Sequence, residues 1–576
     1  MRAVLRLAAR VALLSPLILA GCEGAPAPSA PLPAGGRAGA HAKHPVVVTL
    51  VVDQLAAWVA AERWPLLPAD GGFARLRREG SYVRALHYEH AVTDTAPGHS
   101  ALYTGAVPAR SGIFANETLG DDGKPESILR DSTVRVLTSD GPLERAGSSL
   151  AKLKVETLAD RLRAEHADAV ILSFSVKDRG ALFAGGRHPT AALWLDTTDN
   201  RFVTSSAIAA AFPSWAGGFA AEALGRAEAS TWELLDPGWV KEHAVTPDSE
   251  TGEGDLPGYG IVFPHSLAAV QKKALAFRTS PFADDVLFML GLYALRVEHA
   301  EDHPTLLALS LSANDYIGHT FGPDSWEAWD EIRRLDQSLA RFLSVLDVYF
   351  GADGYSVLLT GDHGTTPMPE VGRHAYCDTV DPWERACGPT FRILPGELGD
   401  HLKDVARTAV GPGEWVSGVS DPYVYLSPSG RALPPARRAV LGDAVRSALR
   451  STPGVAAVYD LAAIPAVCPP FADESIDALV CRSVAPQAGA RERGAEYYVV
   501  LSPGSFFDPS IIVGKGTSHG SPYLFDRTVP LLARVPGRGA GRVLESAPFD
   551  AFVRTAAEAL GIGAPRDASS GPSILP

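Results

Sequence analysis

Val46-Val47-Val48-Thr49-Leu50-Val51-Val52-Asp53 is the stretch that decides the fold. It is apolar and largely β-branched, with one Thr inside and an acid at its end. A strand with no polar face must be covered on both sides. Three similar runs follow: Ala169 to Ser175, Thr305 to Ser312 and Tyr355 to Thr360. Helical patterns lie between them. From Asp324 to Phe350 the residues Ile332, Leu335, Leu339, Phe342, Leu343 and Leu346 fall on one face. Leu150 to Glu165 and Phe282 to His299 also read as helices. Doubly buried strands alternating with helices predict an α/β/α sandwich with a central, mostly parallel sheet.

Upstream of this run the texture changes. Arg2, Arg6 and Arg10 flank an apolar stretch, Val11 to Ala20, too short to cross a bilayer. It ends in Leu19-Ala20-Gly21-Cys22, which resembles the bacterial lipobox. The resemblance implies a signal peptide over residues 1–21 and a lipid on Cys22. Residues 22–44, rich in Ala, Pro and Gly, then form a flexible tether. Such a protein touches the membrane only through its N-terminal lipid. It is expected as an exported lipoprotein on the periplasmic face of the outer membrane or on the cell surface of a bacterium.

Downstream, residues 45–576 read as one globular unit, with an α+β subdomain inserted at about residues 366–518. The insertion shows short alternating strands at Tyr423 to Leu426, Val455 to Tyr459 and Tyr497 to Leu501, with a helix at about Pro434 to Ser451. A late strand, Val529 to Val535, and a closing helix, Phe549 to Leu560, follow. Besides Cys22 there are Cys377, Cys387, Cys468 and Cys481. An even number in an exported chain suggests two disulfides, with three pairings open. The local pairing, Cys377–Cys387 and Cys468–Cys481, would close short loops.

Composition sets limits. The 576 residues are 46% hydrophobic and 20% charged, which is ordinary for a globular protein and too apolar for a disordered one. The net charge of −14 excludes a basic footprint for nucleic acid. A monomer is expected.

Polar residues gather where the buried strands end. Asp53 closes the first. Asp315 follows the third, with His319 four residues on, and Asp362-His363 follows the fourth. His519 lies in Gly516-Thr517-Ser518-His519-Gly520. Ligands of open α/β sheets bind at the carboxyl ends of strands. Each such Asp alone is most often a helix cap. Together, three Asp and three His make two half-filled sites for divalent ions such as zinc. Two ions about 4 Å apart can clamp the attacking and leaving oxygens of an in-line displacement. Thr95, in Thr93-Asp94-Thr95-Ala96-Pro97-Gly98-His99, precedes a short helix expected from about Ser100. It reads equally as a cap or as a nucleophile whose alkoxide a cation would favour.

In this order, Asp53, Thr95-x-Pro-x-His99, Asp315-x-x-x-His319, Asp362-His363 and Gly-x-x-His519-Gly resemble the alkaline phosphatase superfamily. The resemblance implies an alkaline-phosphatase-like catalytic domain and two zinc ions. One would be held by Asp315, His319 and His519, the other by Asp53, Asp362, His363 and the Thr95 oxygen. That oxygen would attack phosphorus and pass through a phosphothreonine intermediate.

Two further features choose a branch. Asn116 resembles the Asn that donates to a phosphoryl oxygen in nucleotide phosphodiesterases and PafA-like alkaline phosphatases. Lys177-Asp178-Arg179 resembles the monoesterase signature of the PafA-like group. In an extended segment Lys177 and Arg179 would point the same way. A monoester carries one more charged oxygen than a diester, which two extra cations favour. The resemblance implies an alkaline phosphatase acting on small phosphate monoesters. The alternative is a nucleotide pyrophosphatase/phosphodiesterase of the same superfamily. A sulfatase would carry Arg where His99 stands.

Overall fold

The structure, a computed structural model, describes residues 44–120, 122–371, 389–509 and 511–576. Cys22, the tether up to residue 43, Cys377 and Cys387 lie outside the described residues.

The strands used below are, in chain order, β1 (Val46–Val52), β2 (Ser81–His87), β3 (Arg130–Thr138), β4 (Gly141–Ser148), β5 (Val170–Ser175), β6 (Ala191–Asp196), β7 (Arg201–Ser205), β8 (Thr305–Leu311), β9 (Ser356–Thr360), β10 (Val416–Ser420), β11 (Tyr423–Leu426), β12 (Val455–Asp460), β13 (Ala495–Leu501), β14 (Thr528–Arg534) and β15 (Val543–Pro548). The helices that matter are α1 (Thr95–Thr104), α2 (Asp178–Gly185), α3 (Phe282–Glu298), α4 (Ala313–Phe321) and α5 (Trp326–Phe350).

An 11-stranded sheet runs β15-β2-β14-β9-β1-β8-β5-β6-β7-β3-β4. Its centre, β9-β1-β8-β5-β6, is parallel throughout. Both flanks turn antiparallel, at β14 on one side and at β7 on the other. The expected α/β architecture is therefore present, with its parallel character concentrated in the middle. β1 shows why its sequence is apolar throughout. Val46, Val48, Leu50 and Val52 enter one hydrophobic core, while Val47 and Val51 enter the core on the opposite face. Side chains alternate across a strand, so a strand covered twice needs apolar residues at both parities. α5 buries the stripe read from sequence, Ile332 through Leu346, and its Ser325 cap accepts the N–H of Ala328.

Three local expectations are corrected. The helix expected from Leu150 spans only Leu158–Glu165, because a Thr157/Asp160 capping box starts it there. α1 begins at Thr95 rather than near Ser100, so Thr95 is inside its first turn and Asp94 occupies the cap position. Lys177 is extended, but α2 starts at Asp178, so Lys177 and Arg179 do not share an extended segment.

Between β9 and β14 a four-stranded antiparallel sheet, β10-β11-β13-β12, packs under helices Pro395–Val410 and Pro435–Ser451. Val424, Leu426, Leu441, Val445 and Val499 form its own core. Cys468 and Cys481 form a disulfide nearby. Among the described residues, no helix is long and apolar enough to cross a membrane.

Candidate active site

Four neighbouring strands deliver most of the site from their carboxyl ends. In sheet order these are β9 with Asp362 and His363, β1 with Asp53, β8 leading into α4 with Asp315 and His319, and β5 with Lys177. Thr95 comes from the far side of the loop after β2, and His519 from the loop before β14. Every one of these residues is at least nine-tenths buried. Charged groups stay at such burial only when paired or bound to an ion.

Two clusters of ligand-type atoms form. Asp53, Asp362 and His363 make one; Asp315, His363 and His519 make the other, each with its atoms within 4.8 Å of one another. The first matches the expected trio. The second has His363 where His319 was expected. His363 is shared because its ring stacks on His519 at 3.6 Å between centroids. His319 remains beside the cluster, its Nε2 3.1 Å from Asp315 Oδ1, while His519 Nε2 is 3.6 Å from the same oxygen.

The donor chemistry fits divalent ions. The Nδ1–H of His319 donates to Thr517 O at 2.8 Å, that of His519 to Thr93 O at 2.8 Å, and that of His363 to Gly364 O at 3.0 Å. In each ring this turns Nε2 toward the carboxylates, the nitrogen that would bind a metal. Asp53 Oδ1 and His363 Nε2, buried and 3.3 Å apart, complete no hydrogen bond. Orphaned buried atoms of this kind are costly unless a cation satisfies them.

Lys177 provides the cation present in the chain itself. Its Nζ lies 2.6 Å from Asp53 Oδ2, 2.6 Å from Asp315 Oδ2 and 3.2 Å from Thr95 Oγ1. Burial works against its charge, but Asp315 and Asp53 outweigh burial and raise its pKa, so it is an ammonium and not a base. Burial would likewise raise Asp315; His319 and Lys177 hold it well below the usual carboxylate range. For His519 burial opposes protonation, and hydrogen bonds with Asp315 and Asp94 reverse that and raise its pKa.

Asn116 is half-buried, and its Oδ1 accepts the Ala96 N–H at 2.7 Å. This ties it to the first turn of α1 and leaves its amide N–H groups to donate elsewhere. Arg179 lies beside the cluster, within range of the Asp53 and Asp315 charges. Its guanidinium stands 3.9 Å from Asp178, a quarter exposed, with Nε buried and unpartnered.

Several supporting residues carried no role in the sequence reading. His99 bonds Ser310 Oγ through Nε2 at 2.8 Å, while its Nδ1 lies 3.0 Å from both Thr95 O and Asp362 Oδ2. It braces the Thr95 turn against the Asp362 loop. Tyr423, from the inserted sheet, donates to Phe114 O at 2.8 Å, two residues from Asn116. Gln54 donates to Asp315 Oδ1 at 3.0 Å. A Gln after an acid has no distinctive sequence signal, and long-range contacts such as Tyr423 to Phe114 have none.

Comparison with known proteins supplies the lineage. Residues 47–388 match the family described as type I phosphodiesterase / nucleotide pyrophosphatase. The chain is 32% identical over 336 residues to alkaline phosphatase PhoV of Synechococcus elongatus, covering 57% of this chain and 60% of that protein. It is 26% identical over 539 residues to a Myroides odoratus protein named calcium-transporting ATPase, covering 91% and 93% respectively. The crystal structure of wild-type alkaline phosphatase PafA superposes with a TM-score of 0.78 at 24% identity, covering 93% of this chain and 99% of that one. The chain belongs to the type I phosphodiesterase / nucleotide pyrophosphatase family, within the alkaline phosphatase superfamily, and is a hydrolase of the alkaline phosphatase type.

Proposed function

We propose that the enzyme hydrolyses phosphate monoesters with the Thr95 oxygen as nucleophile and two zinc ions as its metals. The observation that carries this reading is the position of Thr95 Oγ1. It sits at the start of α1, 3.2 Å from the Lys177 ammonium, which itself spans Asp53 and Asp315 of the two ligand clusters.

Asp53, Asp362 and His363 would hold one ion, and Asp315, His319 and His519 the other. When bound, such ions supply Lewis-acid charge at the attacking and leaving oxygens. The chain's own groups do the rest. α1 fixes Thr95 at a buried position from which water is largely excluded. Lys177 stabilises negative charge on the Thr95 oxygen and on the phosphoryl group it meets. The free amide N–H groups of Asn116 donate to a second phosphoryl oxygen, and Arg179 reaches the exposed side of the group. Thr95 Oγ1 forms a bond to phosphorus and gives up its proton, while the ester oxygen leaves with its electron pair and takes up a proton in its place. Water then cleaves the resulting phosphothreonine, returning Thr95 and releasing phosphate.

A diester has one fewer charged oxygen for Lys177 and Arg179 to engage, so these cations favour monoesters. The family description favours the second reading, a nucleotide pyrophosphatase/phosphodiesterase. Rates on one aryl group presented as phosphate monoester, phosphate diester and sulfate, with zinc present, separate the two. The highest kcat/KM on the monoester supports the proposal; the highest on the diester replaces it.

The same proposal extends to location: an exported monomer held to a bacterial membrane by a lipid on Cys22. Loss of labelled fatty-acid incorporation in Cys22→Ala, with the protein released to the soluble fraction, is the expected result. Unchanged labelling would refute the anchor.

A further inference from the structure

Gln54 directly follows the ligand Asp53, and its backbone φ is +66°. That is the left-handed region, which residues bearing a long side chain seldom occupy because Cβ crowds the following carbonyl. Glycine would adopt it freely. A Gln kept there, 2% exposed, indicates that its side chain serves the site.

Its backbone and side-chain nitrogens both donate. The backbone N–H, turned by the unusual φ, donates to Asp362 Oδ1 at 3.1 Å. The side-chain Nε2 donates to Asp315 Oδ1 at 3.0 Å. One residue therefore bonds a carboxylate from each cluster. The facing helix leaves room for it: a Cβ on Gly318 would stand 2.0 Å from Gln54 Oε1. Asn314 secures the same turn by donating to the Asp53 carbonyl at 2.8 Å.

We propose that Gln54 is a positioning residue that ties the two carboxylate clusters together, so that the two ions of the proposed centre bind as a coupled pair. The inference rests on the two-ion reading above. It concerns how the ligands are held and adds no ligand.

The test is a zinc titration of metal-stripped protein against a chromophoric competing chelator, with thermal melts on the same samples. Four proteins are needed: wild type, Gln54→Ala, Gln54→Gly and Gly318→Ala. Gln54→Gly removes the amide while its backbone accepts the positive φ, so it folds even if Gln54→Ala does not. Gly318→Ala keeps the amide but displaces it. Wild type is expected to bind two equivalents. The variants are expected to hold the second ion about tenfold to a hundredfold more weakly, the range typical of groups that orient metal ligands. Gly318→Ala is expected to reproduce the effect of Gln54→Gly. Two equivalents in wild type with unchanged second-ion affinity in Gln54→Gly and Gly318→Ala would overturn the role of Gln54 alone. Fewer than two in wild type would overturn the two-ion reading on which it stands.

Discussion

A Cβ on Gly98 would stand 2.2 Å from the carbonyl oxygen of Asp362, and 3.1 Å from its own Cβ. The helix that presents Thr95 is thus seated directly on the loop that presents Asp362 and His363. Gly98→Ala must push these apart, since the clash is with backbone. Such overpacking typically costs about 1–3 kcal/mol of stability. A displacement near 1 Å between reacting groups costs roughly a hundredfold in rate. Denaturant melts and kcat on an aryl phosphate check both; wild-type kcat in Gly98→Ala would refute the seating argument.

Thr95→Ala removes the proposed nucleophile and only one oxygen from the metal environment. Turnover is expected to fall by several orders of magnitude, with zinc content close to that of wild type. Thr95→Ser, which keeps a hydroxyl at the start of α1, is expected to retain measurable turnover. Substantial activity in Thr95→Ala would place the nucleophile elsewhere.

Lys177 and Arg179 make the argument for monoesters. Hydrogen bonds to charged groups contribute about 1.5–3 kcal/mol, roughly tenfold to a hundredfold in rate per cation. Lys177→Ala with Arg179→Ala is expected to depress monoester hydrolysis far more than diester hydrolysis. Equal losses on both substrates would remove the basis for choosing the branch. Lys177→Ala alone is also expected to do more harm than Arg179→Ala, because Lys177 lies 2.6 Å from both Asp53 and Asp315 and 3.2 Å from Thr95.

Glu253 carries a pH signature of its own. It is 3% exposed, and burial, followed by the nearby Glu327 charge, pushes its pKa up from 4.5 to about 9. A folded-state pKa above the unfolded value gives stability that is complete below about pH 4.5 and lost as pH rises through about 9. Glu253→Gln keeps the shape without the charge. Urea midpoints measured at pH 6 and pH 9.5 should differ less in Glu253→Gln than in wild type. An identical pH dependence would refute the shift.

What the sequence revealed follows from where burial imposes a pattern. β1, β5, β8 and β9 were legible because strands covered on both faces exclude polar residues, so a plain apolar run marks them. Their terminal Asp and His residues were legible for the same reason: a polar group at the end of such a run stands out. The β3–β4 hairpin was not legible. Arg130–Thr138 is mostly exposed along its first two-thirds and Gly141–Ser148 is half-buried at best over most of its length, so neither shows a clean alternation. The start of α1 was missed because Pro97 and Gly98 weaken a helical reading, although Pro is well tolerated in a first turn. The sharing of His363 between clusters depends on a ring stacking that brings together residues 156 positions apart, and no local pattern encodes it. Gln54 was missed because its signal is a backbone angle.

The order β9-β1-β8 has one more consequence. Adjacent strands of a sheet are separated by about 4.8 Å, a pitch fixed by backbone hydrogen bonds. Pairs of catalytic metals work at about 3.5–4 Å. Ligands rooted on three consecutive strands inherit a spacing close to that figure before any side chain is chosen. In the proposed two-ion centre the distance between the ions would then be set chiefly by peptide geometry. On that proposal, side-chain replacement would empty either position or alter its affinity, while the interval itself would follow the backbone.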